Sequence, residues 1–186
     1  MKNYVAKLLL HDDRKDDKNG FRHIATFNIQ VNNVTEDSIF QVLETVYMNS
    51  QNSFGSWITK EDSELKVCND IDAVEMIAHD YNTKDPNNYN YVPESERVDG
   101  VEYYKFSRSS MITDVIELDG EYFFTSEYGF KKISEEVYNY LSTLSGRQAR
   151  DLEYKMEAVL KNTKKVTDEI TDVSELKRLL AEYYAG

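Results

Sequence analysis

Carboxylates gathered between residues 61 and 102 are the most distinctive chemical feature of this 186-residue sequence. The segment holds 12 Asp and Glu residues against Lys66, Lys84 and Arg97, so its net charge is −9. The whole chain carries −12, so most of the negative charge lies in one stretch. Carboxylates spaced along a surface can occupy a groove whose Lys and Arg side chains normally bind the phosphates of a nucleic acid.

Tyrosines lie in the same stretch and can supply flat contacts where such a groove normally receives bases. The sequence therefore predicts a surface that binds a cationic protein partner. The simpler alternative is a solvated acidic face that only keeps the protein in solution. The residues that we expect to form the binding surface are Glu61, Asp62, Glu64, Asp70, Asp72, Glu75, Asp80, Tyr81, Tyr89 and Tyr91.

Motifs for catalysis are weak in this sequence. Glu64-Leu65-Lys66, close to Asp62, has the spacing found in metal-dependent nucleases, in which carboxylates hold the ion and a lysine polarises the phosphate. The same triplet spacing recurs at 153–155 and 175–177, so its presence carries little weight. No glycine-rich phosphate loop and no Gly-x-Ser-x-Gly motif is present in the sequence. We therefore expect a protein that is not an enzyme.

Metal ligands are not paired at the tight spacing that zinc sites show. His11, His23 and His79 are far apart in the sequence, and Cys68 could add only one ligand to His79. We therefore expect no metal ion and no cofactor. A single cysteine excludes an internal disulfide, and we expect Cys68 to be a half-buried thiol in a cytoplasmic protein.

The first half of the chain combines strand and helix patterns. Residues 4–10 and 21–31 predict two strands that pair as an antiparallel hairpin. Thr35 is the expected N-cap of a helix that lies on the sheet. Residues 65–67 predict a short strand and residues 70–79 a helix, followed by a long polar loop over 82–96. The apolar face of the Thr35 helix is formed by Ile39, Val42, Leu43 and Val46.

The second half changes from strands to helices. Strands are predicted over 101–106, 114–118 and 121–126, and Asp119-Gly120 is a strong two-residue hairpin turn. Ser134 is the expected cap of a helix that runs to Gly146, followed by helices over 147–162 and after Asp172.

These patterns predict an α+β fold with a small, mainly antiparallel sheet covered by a helix and followed by C-terminal helices. We expect a sheet domain over 1–133, which carries the acidic segment 61–102, and a helical subdomain over 134–186. The helical part either packs on the sheet or serves as an arm for self-association, so a homodimer is an alternative.

One stretch resembles a known family. Residues 108–120 read Arg-Ser-Ser-Met-Ile-Thr-Asp-Val-Ile-Glu-Leu-Asp-Gly, and 128–130 read Tyr-Gly-Phe. This resembles the YodL-like domain of small proteins on Firmicutes plasmids, integrative elements and phages, whose pattern is roughly R-S-x-S-V-G-D-V-V, then D-G, an aromatic strand and S-x-G-F. Met111 stands where a serine is usual and Thr113 where a glycine is usual. Asn49 and Trp57, after the helical residues 43–47, are similar to a helix–Asn–Trp segment that precedes this pattern.

The resemblance implies a mobile-element setting rather than a chemistry. Acidic proteins from that setting often block host defence, and some type II anti-CRISPR proteins of similar size come from it. We therefore expect an inhibitor in the bacterial cytoplasm that binds the nucleic-acid-binding surface of a host nuclease such as a CRISPR effector. The net charge argues against direct binding to nucleic acid, and no apolar run is long enough for a membrane span.

Two alternatives belong to other functional classes. The first is an accessory or regulatory binding module in plasmid or phage replication. The second is a metal-dependent nuclease centred on Asp62, Glu64 and Lys66.

Overall fold

The computed structural model describes residues 1–11, 20–51, 57, 61–79, 97–98, 101–102, 110–127, 129–160 and 168–185. Alternating apolar and polar residues at the start of the chain form two long strands that pair antiparallel. A helix, a 3₁₀ helix and seven further strands follow, with three helices in the last third of the chain. The elements are β1 (Lys2–His11), β2 (Phe21–Val31), α1 (Ser38–Asn49), the 3₁₀ helix (Asp62–Glu64), β3 (Ile71–Ala78), β4 (Arg97–Val98), β5 (Val101–Glu102), β6 (Val115–Leu118), β7 (Glu121–Ser126), β8 (Gly129–Ile133), α2 (Glu135–Leu141), α3 (Gly146–Leu160), β9 (Glu169–Ile170) and α4 (Val173–Ala185).

Seven of the described strands form one sheet in the order β3-β2-β1-β6-β7-β8-β9. All neighbours are antiparallel except β8 and β9, which are parallel. β4 and β5 form a separate pair. The predicted α+β class, with a mainly antiparallel sheet, a covering helix and C-terminal helices, is confirmed.

Helix α1 covers one face of the sheet. Val42, Leu43 and Val46 of α1 are fully buried in one cluster with Phe27 and Ile29 of β2. The spacing of the α1 residues places them on one helical face, and the alternation along β2 turns its apolar residues toward them. Burying each such side chain stabilises the fold by about 1.5–3 kcal/mol.

The C-terminal helices cover part of the opposite face. Neighbouring residues of β6 alternate between two clusters, so that Ile116 packs on the α1 side and Val115 packs with the C-terminal helices. Leu152 of α3 and Leu176 of α4 are buried in this second cluster. β9 lies between α3 and α4 in the chain and pairs with β8. Residues on both sides of the predicted boundary at 133 therefore contribute to one sheet, and the division into two parts stays a prediction.

The helix predicted over 70–79 is wrong, because these residues form β3. Ile71, Val74, Ile77 and Ala78 fit a helical face, but the segment also alternates and pairs with β2 over its whole length. Strand pairing with a distant segment overrides such an ambiguous local pattern. Val74 and Met76 are half-buried toward the α1 cluster, and Ala73, Glu75 and Ile77 are exposed.

Several predicted boundaries also differ. Helix α1 begins at Ser38 rather than after a cap at Thr35, and the Thr35 N–H donates to Ser38 Oγ at 2.7 Å. Residues 65–67 form no strand, and the helix after Ser134 ends at Leu141 rather than at Gly146. Strands β8 and β9 were not predicted.

The caps at Ser134 and Asp172 are confirmed, since their side chains accept hydrogen bonds from the N–H groups of Val137 and Glu175 at 3.2 and 2.9 Å.

The two hairpin-forming residues between β6 and β7 behave as predicted. Asp119 and Gly120 both have a positive φ, of 51° and 87°, which is the backbone of a type I′ turn.

The turn before β6 is bound to β1 through the buried carboxylate of Asp114 and to β7 through backbone groups. Asp114 accepts hydrogen bonds from the N–H groups of His11 and Met111 at 2.8 and 2.7 Å. Thr113, directly before it, has a φ of 82° and donates its N–H to Thr125 of β7 at 2.9 Å. A β-branched residue rarely adopts this left-handed conformation, which glycine adopts without strain. Position 113 therefore favours glycine, which is the usual residue at this position of the YodL-like pattern.

We expect Thr113→Gly to raise the free energy of unfolding by about 1 kcal/mol. Relief of the left-handed strain, about 1–3 kcal/mol, outweighs the extra entropy of glycine in the unfolded chain, about 0.4–1 kcal/mol. Urea unfolding measures the change. The control is Thr125→Gly on β7, which has no strain to relieve and should lower stability. A lower stability for Thr113→Gly would contradict the prediction.

Candidate partner-binding site

β3 is the end strand of the described sheet. In the part of the chain that the structure describes, it pairs only with β2. Its opposite side carries backbone groups that point away from the sheet, and such edges readily pair with other chains. The N–H of Met76 lies on this outer side and donates to Asp62 Oδ1 at 3.3 Å. The 3₁₀ helix therefore covers part of the outer edge.

Six of the ten predicted binding residues lie along this edge. All six are exposed, and they lie on the 3₁₀ helix, directly before it, directly before β3 or on β3 itself. Because β3 and the 3₁₀ helix are in contact, residues that the sequence separates by a loop are brought together. We call this group the acidic edge, which consists of Glu61, Asp62, Glu64, Asp70, Asp72 and Glu75.

Within the described residues, the hydrogen-bond donors to the carboxylates of the acidic edge are uncharged. The N–H of Glu61 donates to Glu64 Oε2 at 2.9 Å, which closes the 3₁₀ turn. Asn28 Nδ2 donates to Glu75 Oε2 at 3.0 Å. Among the described residues, no Lys or Arg forms an ion pair with any member of the acidic edge. Their charges are therefore not compensated within this part of the protein.

The buried side-chain amide of Asn49 holds the segment 61–66, which carries three of these carboxylates. Asn49 Nδ2 donates to Lys66 O at 2.7 Å, and Asn49 Oδ1 accepts from the N–H of Lys66 at 2.8 Å. Asn49 Nδ2 also donates to Thr45 O at 2.9 Å within α1. Asn49, the last residue of α1, thus binds both the N–H and the C=O of Lys66, as the backbone of a neighbouring strand would. It holds residues 61–66 beside β3. The sequence points to Asn49 only through the resemblance to the helix–Asn–Trp segment.

The other four predicted residues, Asp80, Tyr81, Tyr89 and Tyr91, lie outside the described residues. Their share in a binding surface stays a prediction.

The triplet proposed for a nuclease has a different local role in the structure. Asp62 and Glu64 accept backbone N–H groups, and both backbone groups of Lys66 are bound by Asn49. Within the described ranges, no group of three or more His, Cys, Asp or Glu side chains could hold a metal ion. The nuclease alternative stays a prediction that gains no geometric support from these residues.

Two histidines that are distant in the sequence meet on the open face of β2 and β3. The Nε2 atoms of His23 and His79 lie 3.0 and 2.8 Å from the same oxygen, Thr26 Oγ1, and the ring centres are 4.4 Å apart. Burial lowers the pKa of His23 below its ordinary value of 6.5, and the nearby His79 and Lys7 lower it further. Sequence spacing could not reveal this cluster, because it depends on the pairing of β2 with β3.

Comparisons with known proteins found no relative of this chain: no family model, no curated protein and no solved structure matches it. The resemblance to YodL-like domains therefore stays a prediction. Across the described part of the chain, no helix combines the length and the apolar character that crossing a membrane requires.

We expect Asn49→Ala to lower the free energy of unfolding by about 2–3 kcal/mol. The substitution leaves the backbone groups of Lys66 without their partner in a partly buried place. Urea unfolding measures the loss. Asn28→Ala is the matched control, because its amide bonds the exposed Glu75, and its stability should stay within about 0.5 kcal/mol of the wild type. Equal effects of the two substitutions would contradict the anchoring role.

Acidification should destabilise the fold through His23. Its pKa is lower in the folded protein than in the unfolded chain, so the unfolded chain binds more protons below about pH 6.5. The contribution of His23 to stability is complete above about pH 6.5 and is lost as the pH falls toward the lower, folded pKa. Urea unfolding at pH 7.5 and 5.5, with EDTA present, should show a smaller loss for His23→Gln than for the wild type. An equal loss would exclude this contribution.

Proposed function

We propose that this chain is a non-enzymatic protein that inhibits a host defence nuclease by binding its nucleic-acid-binding surface through the acidic edge. The observation that carries the proposal is the group of six exposed carboxylates with which no Lys or Arg of the described residues forms an ion pair. A solvated face that only maintains solubility does not require its charges to lie on one edge of a sheet.

The acidic edge gathers six negative charges on two neighbouring segments of the chain. β3 has eight residues and so extends about 26 Å. Asp72 and Glu75 lie on this strand and Asp70 directly precedes it, while Glu61, Asp62 and Glu64 lie on the neighbouring 3₁₀ segment that contacts it. Charge complementarity of this kind favours a groove lined by Lys and Arg, and it speeds association at low salt.

The edge is also held in place before any partner arrives. Glu75 is fixed by Asn28, and the 3₁₀ helix is fixed by Asn49 and by the Asp62–Met76 hydrogen bond. A surface that is ordered in advance loses less conformational entropy on binding. The surface therefore suits a rigid cationic channel, such as the one that holds the heteroduplex in a CRISPR effector. The mobile-element setting and the bacterial cytoplasm come from the family resemblance.

Neutralising the acidic edge should abolish inhibition. We expect the variant Glu61→Gln, Asp70→Asn, Asp72→Asn and Glu75→Gln to bind at least about tenfold more weakly, because four charges are removed while Asp62 and Glu64 keep their structural hydrogen bonds. Cleavage of DNA by a purified type II CRISPR effector loaded with guide RNA provides the readout. Binding of the wild type should weaken steeply between 50 and 200 mM salt, and that of the variant much less.

A matched control removes four exposed charges elsewhere, through Glu36→Gln, Asp37→Asn, Glu136→Gln and Glu169→Gln. This control has the same net charge as the edge variant and should inhibit like the wild type. Equal inhibition by the two variants would exclude the acidic edge as the binding surface. Full cleavage in the presence of the wild-type protein would exclude this class of target.

A further inference from the structure

Two imidazole nitrogens face one point on the open side of the sheet. His23 lies on β2, His79 directly follows β3, and the N–H of His79 donates to Ile24 O at 2.7 Å. This bond fixes the backbone of one histidine against the strand of the other. Thr26 Oγ1 forms a hydrogen bond with the Nε2 atom of each ring, at 3.0 Å for His23 and 2.8 Å for His79.

Thr26 cannot satisfy both rings in the same way. A hydroxyl group has a single proton, so at least one of the two imidazoles must donate its Nε2–H to Thr26. The two rings therefore share one hydroxyl group, which can donate to only one of their Nε2 atoms at a time. Placing the ring protons on the Nδ1 atoms would turn two lone pairs toward the same space.

The separation of the rings is close to that of two imidazoles on one ion. An imidazole nitrogen lies about 2.0–2.1 Å from a bound Zn²⁺, which at a tetrahedral angle places the centres of two rings on one ion roughly 5 Å apart. The observed distance between the centres of His23 and His79 is 4.4 Å, with an angle of 50° between the rings. The ring centres must therefore separate by roughly 1 Å to bring both nitrogens to one tetrahedral ion.

We propose that His23 and His79 form a binding site for one divalent transition-metal ion that prefers imidazole, such as Zn²⁺, Ni²⁺ or Cu²⁺. Thr26 and water complete the coordination. Two protein ligands bind more weakly than the three or four of a structural zinc site, so the dissociation constant is roughly 1–100 μM.

The charged groups around the site allow a cation. Lys7 of β1 forms an ion pair with Glu117 of β6, with 2.7 Å between Lys7 Nζ and Glu117 Oε1, so its charge is offset. The ion would join β2 to the end of β3 and so hold the edge strand at its C-terminal end. This inference does not depend on the proposed function, because none of the acidic-edge residues is a ligand.

Nuclear magnetic resonance of the ring nitrogens tests the site directly. The protein is freed of metal with EDTA, dialysed at pH 7.5 and titrated with Zn²⁺ alone. We expect the Nε2 signals of His23 and His79 to shift together and to saturate at one ion per chain. The third histidine is an internal control, because His11 is buried and its Nε2 lies 3.3 Å from Leu141 O.

Substitutions assign the signals and measure the affinity. Calorimetry should show at least tenfold weaker Zn²⁺ binding for His23→Gln and for His79→Gln, whereas Asp70→Asn with Asp72→Asn should bind like the wild type. The wild-type spectrum decides the outcome even if a histidine variant fails to fold. Saturable binding that leaves the His23 and His79 signals unmoved, or no saturable binding below 1 mM Zn²⁺, would overturn the proposal.

Discussion

β1 pairs with another strand on each of its sides, and this pairing determines how the other elements are arranged. β1 pairs with β2, its neighbour in sequence, and with β6, which lies more than 100 residues later. This double pairing joins the N-terminal hairpin to the later strands and creates one sheet with two usable faces. Helix α1 then covers one face, and the C-terminal helices cover part of the other. β3 is left at the end of the sheet, where the acidic edge forms.

The residues of the acidic edge also protect the sheet from pairing with other chains. An edge strand of eight residues risks pairing with other chains, and charged side chains on such an edge are a common protection. Asp62 takes one outward N–H of β3, and Asp72 and Glu75 place charge directly on the strand. The same carboxylates can therefore discourage strand addition and attract a cationic groove. The two roles are compatible, because only strand addition requires the outward backbone groups of β3 to be free.

The sequence predicted the elements whose patterns are local. The alternation in β2, the Asp119-Gly120 turn and the cap at Ser134 are each encoded by adjacent residues, and each is confirmed. β3 was mistaken for a helix because its apolar residues fit both periods, and only its pairing with β2 decides between them. The acidic residues themselves were visible from composition. The grouping of six of them along one edge, the anchor at Asn49 and the meeting of His23 with His79 all require contacts between distant segments.

The position of β9 has a consequence for how the molecule is assembled during synthesis. β1 and β2 can pair as soon as they leave the ribosome. The second neighbour of β1 is made only with β6, and the strand beside β8 only with β9. Until α4 arrives, Val115, Phe124 and Ile133 lack part of their apolar cover. From the synthesis of β6 until that of α4, the nascent chain thus carries an incomplete sheet with an apolar surface. Contacts of such long range slow the final closure, and that delay is the period in which the growing chain is most exposed to aggregation.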